Sequence, residues 1–137
     1  MSTYGLIHGA GSDGWYWHLV EPELRARGHD VVAPDLPCDD DAAGLGEYTD
    51  VVVDALAGHD TSDVVLVAHS LGGFTAPLVC ERMPVGLMVL VAAMVPLPGE
   101  LLGDWWANTD WAQVRNDAAE RNGTTPVGMD DPVALYL

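Results

Sequence analysis

The chain has no lysine, only two cysteines, one phenylalanine and no apolar run of membrane-spanning length, and each scarcity removes a class of function. Five arginines stand against 21 carboxylates, a net charge of −16, so nucleic acid and anionic membrane surfaces are repelled. Cys38 and Cys80 fit neither a C-x-x-C pair nor a Cys/His ligand spacing. No disulfide framework or zinc site is therefore expected, and a reducing cytoplasm is the expected location. Met1-Ser2-Thr3-Tyr4 carries no basic or apolar targeting region, and the most apolar stretch, 85–98, is interrupted by Gly86 and two prolines. It falls short of the roughly 20 residues a bilayer demands.

What is present is a chain of 137 residues, 49% hydrophobic and 19% charged, enough for one domain with a real core. Short apolar runs alternate with segments of helical period, the signature of a parallel sheet covered by helices. Four strands are predicted, at 4–8, 30–33, 64–68 and 87–92. The last two are almost unbroken Val, Leu, Met and Ala, as strands buried on both faces read. Helices are predicted at 17–27, ended by Gly28; at 47–57, where Tyr48, Val51, Val52, Ala55 and Leu56 form one apolar stripe; at 71–82, stopped ahead of Pro84; and at 110–121. After residue 92 the composition changes to prolines and tryptophans with no further strand, which divides the chain into 1–92 and 93–137. Asp39-Asp40-Asp41 reads as a solvated loop, and neither a metal nor a cofactor is expected.

The chemistry concentrates where an apolar strand, Val64-Val65-Leu66-Val67-Ala68, runs into His69-Ser70-Leu71-Gly72-Gly73 and then a helix. A serine on so sharp a strand-to-helix turn is a nucleophile elbow, spanning 68–72, and its strained backbone demands small residues two before and two after. Ala68 and Gly72 meet that demand. A bare serine could merely cap the helix, but this one sits between a buried strand and a helix, where the mechanism needs it. Ser70 is thus the candidate catalytic nucleophile. An acyl-transfer site also needs two N–H donors aimed at the developing oxyanion. Leu71, after the nucleophile, supplies one, and Ala10 in the loop His8-Gly9-Ala10-Gly11 is the candidate for the other. His8, Gly9 and Gly11 are expected to shape the substrate pocket.

The same loop supports a rival, because Gly9-Ala10-Gly11-Ser12-Asp13-Gly14 is also G-x-G-x-x-G, with Asp35 placed 21 residues on as a ribose-binding acid would be. A Rossmann oxidoreductase binding NAD is the reading it implies. Against it stand Asp13 beside a pyrophosphate, the bulk of Trp15-Tyr16-Trp17-His18 at the helix start, and an elbow left without a purpose.

Taken together, Ile7-His8-Gly9-Ala10 with Trp15-Tyr16-Trp17-His18, Gly28-His29-Asp30-Val31-Val32-Ala33-Pro34-Asp35-Leu36-Pro37 and Val67-Ala68-His69-Ser70-Leu71-Gly72-Gly73 resemble the α/β-hydrolase superfamily. The likeness is to its branch of small esterases, methylesterases and hydroxynitrile lyases. The resemblance implies a partial α/β-hydrolase fold, a mostly parallel sheet of about four strands flanked by helices, with the start of a helical cap holding Trp105, Trp106 and Trp111. It implies Ser70 as nucleophile, Ala10 and Leu71 as oxyanion donors, His8 as a shaper of the oxyanion loop, and a small carboxylic ester as substrate through an acyl-serine intermediate. Family members carry the acid and the histidine of the triad on loops after further strands, and those segments are absent from this sequence.

None of the five histidines is expected to replace that base. His69 should point away with the strand's alternation, His29 and His59 precede strands at the opposite rim, and His18 lies at a helix start. Glu100 and Asp104 follow the fourth strand, where some hydrolases keep their acid. The chain is accordingly expected to be inactive or weakly active. The alternatives are a catalytically silent ligand binder and a lyase, which would need a lysine this sequence lacks. The fourth strand, 87–92, is expected to lie open at the sheet edge and drive self-association.

Overall fold

In the computed structural model, which describes residues 1–60 and 63–125, four strands form one parallel sheet in the order β2-β1-β3-β4. β1 is Thr3–Ile7, β2 Asp30–Val32, β3 Val64–His69 and β4 Leu87–Val91, each within a residue of its predicted bounds. Central β1 shows why such runs are continuously apolar: Leu6 faces one side of the sheet and Ile7 the other, and both are buried. On the first face Ile7, Val64, Leu66 and Ala68 pack with Val52 and Leu56 of α2 (Leu45–Leu56) and with Ala76 and Val79 of α3 (Gly72–Arg82). On the second face Leu6, Val31 and Trp17 cluster with Leu24 of α1 (Val20–Ala26). The sheet is therefore an α/β layer with helices on both sides.

One local feature differs from the sequence expectation. The single helix expected at 17–27 is split into a 3₁₀ turn, Gly14–Trp17, and α1. The Asp13 carboxylate accepts the Trp15 N–H at 2.9 Å and closes the tight turn, while Pro22, lacking an N–H, fits only the first turn of an α-helix and so forces a later start. The fourth strand is the open sheet edge expected of it, with Leu87, Met88, Leu90 and Val91 all exposed, although its unbroken apolar run reads as that of a strand buried on both faces. Its apolar composition has no matching cover among the described residues. α3, by contrast, continues through Pro77, because the burial of Phe74, Ala76 and Val79 outweighs one lost backbone hydrogen bond.

The contacts divide the chain into Met1–Val95 and Pro96–Leu137. The second unit holds α4 (Leu102–Asn108) and α5 (Trp111–Asn122). Periodicity predicted no helix over α4, although the resemblance put Trp105 and Trp106 in a helical cap. Glu100 accepts the Leu97 N–H at 2.9 Å and the Asn108 side-chain N–H at 2.6 Å, bracketing this short helix from both ends. The ring of Trp106 meets those of Trp105 and Trp111 edge-on, and the Arg115 guanidinium lies 5.0 Å over Trp111. No helix among the described residues is long and apolar enough to cross a membrane.

Candidate active site

β3 delivers Ser70 to the carboxyl end of the sheet, and the backbone there has left the strand region: Ser70 has φ +52°, one of three non-glycine residues with positive φ among those described. A conformation of this kind costs about 1–3 kcal/mol and persists only where the surroundings impose it. They do so through hydrogen bonds. The Ser70 carbonyl accepts the N–H groups of Gly73 at 3.1 Å and Met94 at 2.9 Å, so the exit of β4 clamps the corner that ends β3.

The small residues around Ser70 are dictated by close approaches. A Cβ on Gly72 would lie 2.9 Å from Ile7 Cγ2 and 3.2 Å from the carbonyl oxygens of Ile7 and His8, so α3 starts directly against the end of β1. Gly73 is tighter still, its would-be Cβ 1.9 Å from the Met94 carbonyl oxygen. Sequence reasoning singled out Gly72 and missed Gly73. The doubled glycine was the available signal, but the need arises from the chain after β4, which elbow geometry does not describe.

Gly9, at the end of β1, lies against the serine. A Cβ there would lie 2.9 Å from Ser70 Cβ, 3.4 Å from Ser70 Oγ and 3.1 Å from His69 Nδ1. The loop after β1 and the corner after β3 thus meet at one point. Neither the Ala10 N–H nor the Leu71 N–H has a hydrogen-bond partner among the described residues. Leu71 opens α3, whose first-turn amides add positive potential at the same place.

His8 is buried with both ring nitrogens engaged. The Leu36 N–H donates to Nε2 at 3.0 Å, so the proton sits on Nδ1, which donates to the Gly9 carbonyl at 2.8 Å. That ring has no lone pair left for Ser70. His69 stacks on Tyr16 at 4.6 Å and meets Trp17 edge-on; its Nδ1 is buried without a partner among the described residues, and burial holds its pKa below the ordinary 6.5. His29 accepts the Ser2 N–H, and His59 pairs with Thr3 Oγ1, both at the amino-terminal rim of the sheet. His18 stacks on Trp15 and bonds the Trp15 carbonyl oxygen. All five histidines are thereby placed, and none bonds Ser70 Oγ. Glu100 is occupied within the second unit by the bonds described above.

A cleft of about 620 Å³ runs between the loops after β1 and β2, with Gly11, Ser12 and Trp15 on one side and Asp35, Cys38 and Asp39 on the other. Of the three residues expected to shape the pocket, Gly11 borders this cleft, while His8 and Gly9 lie buried beneath the loop. Among the described residues no group of three or more His, Cys, Asp or Glu could hold a metal ion.

The dinucleotide reading fails on the same loop. Its last glycine opens a 3₁₀ turn rather than the α-helix whose N-terminus would face a pyrophosphate. The Asp35 carboxylate, expected to meet a ribose, instead accepts the Gly14 N–H at 2.8 Å, and Asp13 is committed to the turn.

The comparisons with known proteins agree. The sequence profile of the alpha/beta hydrolase family matches residues 6–136. Probable esterase PIR7A of Oryza sativa subsp. indica is 36% identical over 108 residues, 72% of this chain and 41% of that protein. Methylesterase 7 of Arabidopsis thaliana is 36% identical over 107 residues, 70% of this chain and 41% of that protein. The crystal structure of polyneuridine aldehyde esterase superposes with a TM-score of 0.68 at 25% identity, covering 82% of this chain and 48% of that one. The chain spans less than half the length of each.

Proposed function

Because the chain belongs to the alpha/beta hydrolase family, we propose that it carries the nucleophile and oxyanion side of a hydrolase acting on a small carboxylic ester through an acyl-Ser70 intermediate. What supports this reading is the approach of the loop after β1 to Ser70 at Gly9, with Ser70 at φ +52°, beside two amides, those of Leu71 and Ala10, that have no hydrogen-bond partner among the described residues. In the proposed step Ser70 Oγ gives its proton to an acceptor as it bonds to the ester carbonyl carbon, the carbonyl oxygen takes the negative charge between the two N–H groups, and collapse breaks the bond to the alkoxide, which takes that proton from the acceptor and leaves as alcohol. Losing one such donor costs about 3 kcal/mol of transition-state stabilisation. The Ser70 proton has no imidazole to receive it in this chain, so the acceptor comes from outside the described residues, and the chain by itself works far below a complete triad. Two free cysteines fit a reducing, cytoplasmic setting for this activity.

The unmatched serine hydroxyl also favours a second reading, a catalytically silent binder that holds a ligand without turnover, for which the cleft beside Gly11 and Asp35, not lined by Ser70, offers a cavity. Incubation with a fluorophosphonate followed by intact-mass and peptide analysis separates the two. The hydrolase reading expects one slow adduct on Ser70, faster at alkaline pH where solvent takes the proton, and absent from Ser70→Ala. Small esters that bind with no adduct forming would leave the silent binder standing.

A further inference from the structure

The chain segment after β2 touches the candidate oxyanion loop at both of its ends. At the near end the Leu36 N–H bonds His8 Nε2 at 3.0 Å, and His8 Nδ1–H in turn holds the Gly9 carbonyl at 2.8 Å. At the far end the Asp35 carboxylate accepts the Gly14 N–H at 2.8 Å. Gly14 has no room to move toward β2, since a Cβ on it would fall 2.4 Å from the Ala33 carbonyl oxygen. Between these anchors Ala10 and Gly11 are exposed, Gly11 sits at φ +65°, and a Cβ on Gly11 would meet nothing within 4 Å. Asp13 is tied to the 3₁₀ turn through the Trp15 and Tyr16 N–H groups, but Ala10 and Gly11 make no hydrogen bond among the described residues, so their direction is left to the anchors on either side.

Peptide geometry supplies the link from anchor to amide. The Gly9–Ala10 bond is trans and planar, so its C=O and N–H point in opposite directions. With the Gly9 carbonyl drawn to buried His8, the Ala10 N–H turns outward, away from the core. One anchored end fixes that plane only if the loop cannot swivel about it, and the second anchor, at Gly14, removes the swivel. An ionised acceptor makes this bond roughly twice as strong as a neutral one.

We propose that Asp35 is a positioning residue of the reaction: by holding Gly14, its carboxylate sets the direction of the Ala10 N–H toward the developing oxyanion. This rests on the reading of Ala10 as an oxyanion donor, and it assigns to Asp35 a task unrelated to any nucleotide. Asp35→Ala removes the acceptor, whereas Asp35→Asn keeps an oxygen at the same place and should restore most of the effect.

Two measurements on the 137-residue chain decide it. Residual dipolar couplings read the direction of the Ala10 N–H bond without any need for activity. They should change in Asp35→Ala, with the Gly14 amide exchanging at least tenfold faster, and stay near native in Asp35→Asn. Saturation kinetics of fluorophosphonate labelling should show the limiting rate falling about tenfold in Asp35→Ala, with the half-saturating concentration unchanged. An unchanged Ala10 coupling overturns the proposal whatever the labelling shows, and so does a changed coupling with an unchanged limiting rate. A native chain that takes no label, yet whose Ala10 coupling shifts in Asp35→Ala alone, keeps the clamp and sinks the hydrolase reading instead.

Discussion

β3 and β4 are neighbours in register, Val65 beside Leu87 through to His69 beside Val91, and both are short apolar strands, yet they live in opposite surroundings. Val64, Leu66 and Ala68 of β3 are wholly buried, while four of the five residues of β4 are exposed. Composition is thus a record of what a strand is built to be covered by, not of the cover it has. The contrast reverses at the carboxyl ends. The exit of β4 is locked, since the Met94 N–H bonds the Ser70 carbonyl and the Met94 carbonyl leaves no space beside Gly73. The exposed strand therefore supports the candidate site through its last turn, and the corner at Ser70 depends on both strands.

Paired truncations give the largest contrast. Leu66→Ala should cost about 2–5 kcal/mol, because the cavity it leaves is enclosed by α2 and α3. Leu90→Ala, at 40% exposure, should cost about 1 kcal/mol or less. Urea titrations of the two variants measure the difference, and equal losses would show that β4 is covered in solution. Next in size is Gly73→Ala, expected to cost about 1–3 kcal/mol because the atom opposing the new methyl is backbone and cannot rotate away. If it also slows labelling of Ser70 more than its stability loss explains, the dependence of the corner on the β4 exit is established. A neutral Gly73→Ala would break that dependence.

The open edge of β4 carries a smaller, concentration-dependent effect. Leu87–Val91 has no charge and no proline, so nothing discourages its unpaired backbone groups from adding another strand. The net charge of −16 opposes contact between copies, and salt screens that repulsion. Size-exclusion at several concentrations should therefore show self-association that strengthens with salt and is reduced in Val89→Lys. A monomer at every concentration and ionic strength would contradict it.

The sheet and the tight strand-to-helix turn at Ser70 were legible in the sequence for physical reasons. Strands buried on both faces leave unbroken apolar runs, and a strained serine leaves small neighbours at fixed offsets, as Ala68 and Gly72 do. What escaped depends on partners distant in sequence. Gly73 answers to Met94, and Asp35 to Gly14. Both need a contact that no local pattern encodes, whereas the split of the first helix rests on local signals, the Asp13 cap on Trp15 and Pro22, read together. The short α4 escaped for a different reason: Glu100 holds it through side-chain bonds, and seven residues are too few for a period to show.

The smallest effect concerns the end of β3 itself. His69 is held neutral by burial against Tyr16 and Trp17, and these rings bring no carboxylate to stabilise an imidazolium. Its folded pKa lies below 6.5, the ordinary value the unfolded chain retains, so between the two values the unfolded chain binds the extra proton. Stability is then undiminished above pH 6.5 and declines as the pH falls through that value toward the lower folded one. His69→Gln cannot take up a proton and should flatten this part of the profile, leaving the carboxylate-driven loss at still lower pH in place. Melting temperatures of both chains between pH 7.5 and about pH 5 provide the check. Curves that stay parallel throughout would mean that the ring is open to water in solution, and that the end of β3 is no better covered than the strand beside it.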